Sequence, residues 1–156
     1  MAYLTLKNRA DKPIRLRLAY DLGHQIDGAW WPYTAALADE LAGLVAVLDS
    51  RLGKITQVGL NWSPRHGPPN LNWRDWQNRP QHIMTVRGDA AQANLLIVPS
   101  TTNNILAGML LRRAAGLPVA PRHNEDTMLK NAEEILKYAR KQQIPESTQK
   151  PRTDVL

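Results

Sequence analysis

From Ile14 to Tyr20 apolar and polar side chains alternate, with Ile14, Leu16, Leu18 and Tyr20 on one side and Arg15 and Arg17 on the other. A strict period of two predicts a half-buried strand. Asp27-Gly28 reads as a turn, and Trp30-Trp31-Pro32 as the entry to a helix, where proline lacks only an N–H that would have no partner. Leu37, Leu41, Leu44, Val45, Leu48 and Leu52 recur at three- and four-residue spacing and predict a helix from about Tyr33, stopped by Gly53. Lys54 to Trp62 reads as a second strand with Val58, Leu60 and Trp62 on one face. His82–Arg87 and Gln92–Val98 read as two strands of an antiparallel hairpin around Gly88-Asp89-Ala90-Ala91. Thr101 or Thr102 is placed to cap a helix carrying Ile105, Leu106, Met109 and Leu110, which Gly116 and Pro118 end. From Asn124 an amphipathic helix carries Met128, Leu129, Ala132, Ile135, Leu136 and Ala139 in one stripe.

This order of elements implies an α+β two-layer sandwich, with a mainly antiparallel sheet of four or five strands, two helices on one face and the extra C-terminal helix. The expected organisation is one domain over 1–120, the amphipathic helix over 121–144, and a flexible tail over 145–156 that has almost nothing to bury. A chain of 156 residues can bury on the order of two thirds of its extended surface, enough for a real core. The C-terminal stripe either docks on its own domain or is covered by pairing with a second copy, a homo-oligomer.

Composition removes several chemistries. With no cysteine there is no disulfide, zinc-thiolate site, iron–sulfur cluster or cysteine nucleophile. No apolar run reaches the length of a membrane span, and the first residues lack a basic start followed by an apolar stretch, so a cytoplasmic protein with no membrane association is expected. The net charge of +6 makes this a basic protein and admits an anionic ligand or nucleic acid as partner. Residues 1–121 carry 13 basic and 8 acidic side chains, against 7 and 6 in 122–156, so the excess belongs to the first part.

Motifs for a serine nucleophile or a phosphate-cradling glycine loop are absent, no cofactor is expected, and His24, His66, His82 and His123 show no metal-ligand spacing. His24 and Asp27 flank a turn beside Trp30 and are the one candidate acid–base pair, although a solvated loop accounts for them as well. The tryptophans say more. Trp30 and Trp31 are adjacent, so one enters the core while the other lines a groove, unless both are structural. Between Asn61 and Pro80 lie Trp62, Trp73 and Trp76 with Arg65, Arg74 and Arg79 and the single acid Asp75. Flat rings and guanidiniums have the composition of a stacking surface for bases or other planar ligands. The competing reading is a long connection pinned over the sheet by its own tryptophans. Lys12, Arg15 and Arg17 would extend a basic face.

Asp27-Gly28-Ala29-Trp30-Trp31-Pro32, the leucine helix after it, Arg51-Leu52-Gly53 and the late hairpin ending Leu95-Leu96-Ile97-Val98-Pro99 together resemble an uncharacterised actinobacterial family, over about residues 12–117. The resemblance implies a lineage and a fold, and no assigned activity. The family's motif continues with a basic residue and a serine where this chain has Tyr33-Thr34. The resulting expectation is a non-enzymatic binding domain that engages a protein or ligand through Trp30, Trp31, Trp62, Arg65, Trp73, Arg74, Trp76 and Arg79, with single-stranded nucleic acid as the alternative partner and a small His24/Asp27 enzyme as the other reading.

Overall fold

The computed structural model describes residues 12–63 and 65–143. The tail expected over 145–156, and the last residue of the expected C-terminal helix, 144, lie outside the described residues. Five strands, β1 (Leu16–Leu18), β2 (Gly28–Trp30), β3 (Ile55–Leu60), β4 (Ile83–Gly88) and β5 (Gln92–Ile97), form one sheet in the order β1-β2-β5-β4-β3. Every pairing is antiparallel except that of β2 with β5. Among the described residues three helices, α1 (Leu37–Leu52), α2 (Asn104–Ala114) and α3 (Asp126–Gln142), complete an α+β fold with the mostly antiparallel sheet that the sequence predicts.

The helices do not share a face. Leu44, Leu48 and Leu52 of α1 pack with Trp30, Met84, Val86, Leu95 and Ile97, while α2 and α3 pack with Ala29, Trp31, Ile83, Leu96 and Val98. The sheet is therefore the middle of three layers, where two were expected. The cause is in β4 and β5: their neighbouring side chains alternate between two apolar clusters, so each face needs its own cover. The stripe of α3 is spent here, since Ala132, Ile135, Leu136 and Ala139 are fully buried. Met128 and Leu129 of the same stripe are partly buried against that core.

Several boundaries move for local reasons. Gly28-Ala29-Trp30 is a strand, not a turn and helix entry, because β1 and β5 both bond to it. A Cβ on Gly28 would overlap the Arg17 carbonyl oxygen, so that strand pair needs glycine there. Helix α1 starts at Leu37, and Pro32 stays outside it, since the Glu40 carboxylate accepts from Tyr33 N at 2.8 Å and from Thr34 N and Oγ1. Ile14, Leu16 and Leu18 pack on the α1 side as expected, but Tyr20 is 92% exposed because the strand has ended at Leu18. The cap of α2 is Asn103, not a threonine: its side-chain oxygen accepts from Ile105 N at 2.8 Å and Leu106 N at 3.2 Å. Gly53, at φ 81°, ends α1, and the Leu52 carbonyl then accepts from Ala90 N and Ala91 N of the β4–β5 loop.

Two glycine substitutions should act in opposite directions. Gly28→Ala lowers stability through its clash with β1, whereas Gly108→Ala, in a helix with nothing near the new methyl, raises it by up to about 1 kcal/mol. Leu48→Ala, in the fully buried α1 stripe, costs about 2–5 kcal/mol. Urea unfolding of the three variants against the parent checks all three signs.

Candidate interaction site at one end of the sheet

The strand directions gather most of the candidate residues. Strands β2, β3 and β5 finish, and β1 and β4 begin, at the same end of the sheet. Beyond that end lie Lys12 and Arg15 ahead of β1, Trp31 to Ala36 after β2, the connection 61–82 between β3 and β4, and the turn 98–103 ahead of α2.

Trp30, the last residue of β2, points into the α1 side, and Trp31 points into the other. Both rings are buried, so neither offers an open face. The Arg15 guanidinium lies between two rings, 3.6 Å from the centroid of Trp31 and 3.8 Å from that of Tyr33. Its Nε and Nη2 donate to the carbonyls of Trp31 and Pro32 at 2.9 and 2.8 Å. Burial lowers its pKa, partly offset by Tyr33 and Glu40. Arg15 thus ties β1 to the chain after β2, and of the expected basic face only Lys12 and Arg17 are exposed.

The connection 61–82 is pinned at many points. The Trp62 ring lies parallel to that of His82, with centroids 4.3 Å apart and planes 6° apart. Asn61 Oδ1 accepts from Ile83 N, and its Nδ2 donates to the Gln81 carbonyl. Trp76, in a short 3-10 turn over Arg74–Asn78, is buried with Leu71 in the α2/α3 side of the core. Arg79 pairs with Asp75 at 3.1 Å and also donates to the Gly67 carbonyl. Asn72 donates to the Thr101 carbonyl at 2.9 Å and accepts from Asn103 N at 2.6 Å, which joins the loop to the start of α2. Gln142 of α3 clasps the backbone of Gln81 through its N–H and its carbonyl.

What this pinning leaves outward is small and specific. Trp73 is 72% exposed, Arg65 and Arg74 are exposed without an ion pair among the described residues, and Ile105 in the first turn of α2 is 45% exposed. The structure therefore splits the expected tryptophan–arginine set: Trp73, Arg65 and Arg74 face solvent, while Trp30, Trp31, Trp62, Trp76 and Arg79 hold the fold, as does Arg15 of the expected basic face. Asn61, Asn72 and Gln142 also fix this end, and the sequence does not single them out, because a lone amide side chain carries no spacing signal. At this end too, Trp31 Nε1, Thr102 Oγ1 and both polar side-chain atoms of Gln81 are buried without a partner among the described residues.

The opposite end holds His24 and Asp27. The buried Asp27 carboxylate accepts from Gly23 N at 3.0 Å, His24 N at 2.8 Å and Asn94 N at 2.8 Å. It fixes the backbone at the start of β2, and no hydrogen bond joins it to the His24 imidazole among the described residues. This is not an oriented acid–base pair. Nor does any group of three or more histidine or acidic side chains converge among the described residues, and no described helix is long and apolar enough to cross a membrane.

A protein-family model matches residues 15–114, from β1 to the end of α2. The chain belongs to a family of unknown function, DUF5994. No curated protein and no solved structure matches the chain. The DUF5994 stretch contains every exposed residue of the candidate surface, Arg65, Trp73, Arg74 and Ile105, and leaves α3 outside.

His82 gives this end a pH dependence. Burial first, then Arg79 and His66, push its pKa down from 6.5 to about 4. The unfolded chain takes up that proton before the folded one does, so stability is full above pH 6.5 and falls as pH drops toward 4. His82→Phe keeps a flat ring against Trp62 and removes the proton. The difference in melting temperature between parent and variant should change across that window and stay constant above it.

Proposed function

We propose that this protein is a non-enzymatic binding domain that engages a macromolecular partner through Trp73, with the exposed Arg65 and Arg74 of the same loop contributing. One observation carries the reading: Trp73 is 72% exposed on a loop that hydrogen bonds and buried neighbours hold in place on both sides of it. An indole buries about 150–250 Å² when covered, and at roughly 25 cal/mol/Å² leaving it in water forgoes several kcal/mol that a partner can recover. Tryptophan and arginine are the side chains on which interface energy concentrates, and a fixed loop loses little entropy on docking.

Single-stranded nucleic acid is the less favoured partner. Strand-tracking surfaces stack successive bases on successive open rings, and here Trp62 is engaged by His82 and Trp76 is buried, so one ring remains.

Trp73→Ala should leave stability within about 0.5 kcal/mol of the parent, because the ring touches little of its own fold. A photo-crosslinking phenylalanine in place of Trp73, in an extract of cells that make the protein, should give a discrete protein adduct. The same residue in place of the exposed Tyr20, which follows β1 at the opposite end of the sheet, should not. A nuclease-sensitive adduct would transfer the surface to nucleic acid, and no adduct at position 73 would overturn the reading.

A further inference from the structure

If Trp73 is the contact, as proposed above, the charges around it define what it meets. Between Asn61 and Pro80 there are three arginines and one carboxylate, Asp75. That carboxylate is already taken: Asp75 Oδ2 accepts from Arg79 Nη1 at 3.1 Å and from Asn70 N at 3.3 Å. Arg79 is likewise occupied by Asp75 and the Gly67 carbonyl. Arg65 and Arg74 are left exposed, with no acid of their own loop to neutralise them. The abutting turn, Pro99 to Asn104, contains no charged residue at all. A guanidinium is weakly hydrated and presents a planar fork of donors that fits a carboxylate in two-point contact.

The apolar component has its own signature. Asn72, next to Trp73, is bonded to Asn103, and Ile105 follows two residues later, so an exposed aliphatic side chain stands in the first turn of the helix whose cap is joined to the exposed indole's loop. Ile105 can pack a leucine or phenylalanine side chain but cannot extend a stack of bases. Its presence favours a peptide over a nucleic acid, although phosphates would also satisfy the two arginines.

We propose that the partner presents an acidic peptide segment bearing at least one large apolar side chain, the apolar group covering Trp73 and Ile105 and the carboxylates meeting Arg65 and Arg74. Electrostatic complementarity of this kind selects the partner and speeds the encounter, while the buried apolar contact slows its release.

A displayed library of random dodecapeptides, selected on the full chain, tests this. The enriched peptides should be net negative and carry Leu, Ile, Phe or Trp. Synthesised singly, they should lose about tenfold or more in affinity for both Trp73→Ala and the Arg65→Glu/Arg74→Glu pair, and most of that affinity should persist in Arg65→Lys/Arg74→Lys. Circular dichroism on each variant excludes unfolding as the cause. Peptides that are neutral or basic, sensitive to Trp73→Ala yet indifferent to the charge reversal, would overturn the acidic partner while leaving Trp73 as the contact. Peptides indifferent to Trp73→Ala would overturn both readings, as would no enrichment at all. Labelled oligothymidylate or oligouridylate that binds more tightly than any selected peptide, and is lost on Trp73→Ala, would assign the surface to nucleic acid instead.

Discussion

Everything in this molecule is arranged around β5, whose two faces are both apolar. Leu95 and Ile97 turn to one side and Leu96, with Val98 just past the strand, to the other, and all four are fully or almost fully buried. A strand with that pattern is stable only in the middle of a sheet and only when each side is covered. The rest follows from these two demands. Strands β2 and β4 flank it, α1 covers one face, and α2 with α3 covers the other. Fully burying a leucine side chain is worth about 1.5–3 kcal/mol, and the central rows of β5 hold several such residues, which outweighs the weak intrinsic preference of three-residue strands such as β1 and β2 for being strands at all.

The same arrangement explains why so much chemistry lies at one end. Once β2 runs parallel to β5 and antiparallel to β1, the chain entering β1, the chain leaving β2 and the chain leaving β5 all meet at the same end of the sheet. The β3–β4 connection adds itself there because those two strands are antiparallel neighbours. A connection of this length has many backbone groups to satisfy, and it does so with side chains: Asn61, Asn72, Asp75 and Gln142 supply partners that a regular strand would have found in its neighbour. Three of the five tryptophans fasten the surroundings of this end into the two cores, Trp62 fastens it to His82, and Trp73 alone fastens nothing.

What could be read from the sequence follows the strength of local patterns. The leucines of α1, the stripe of α3 and the Gly88-Asp89-Ala90-Ala91 hairpin are each written in a window of a few residues, and each appears where the pattern puts it. Strand β2 is not written locally: Gly28-Ala29-Trp30 has no period to show, and it is a strand only because β1 and β5 supply its bonds. The same holds for layers. The unbroken run Leu95-Leu96-Ile97-Val98 was the clue that both faces need cover, yet a short apolar run does not say on which side each helix will settle. For the site, the tryptophan–arginine cluster was visible as composition, whereas the division between the outward Trp73 and the inward Trp62 and Trp76 depends on contacts with His82 and Leu71 that no spacing encodes.

The family boundary and the folding boundary do not coincide. The DUF5994 match ends at Ala114, the last residue of α2, while Leu106, Met109 and Leu110 of that helix share a core with Ala132, Ile135, Leu136 and Ala139 of α3. An ion pair, Arg113 Nε to Glu133 at 2.9 Å, and the Gln142 clasp on Gln81 add polar stitches on the same side. The exposed ion pair contributes at most about 1 kcal/mol, so the apolar stripe is what holds α3 in place. In this chain α3 therefore closes a face that the matched stretch leaves open, and through Gln142 it also holds the strand-entry residue from which the candidate loop departs. The residues that fasten the 61–82 connection are consequently drawn from both sides of the family boundary.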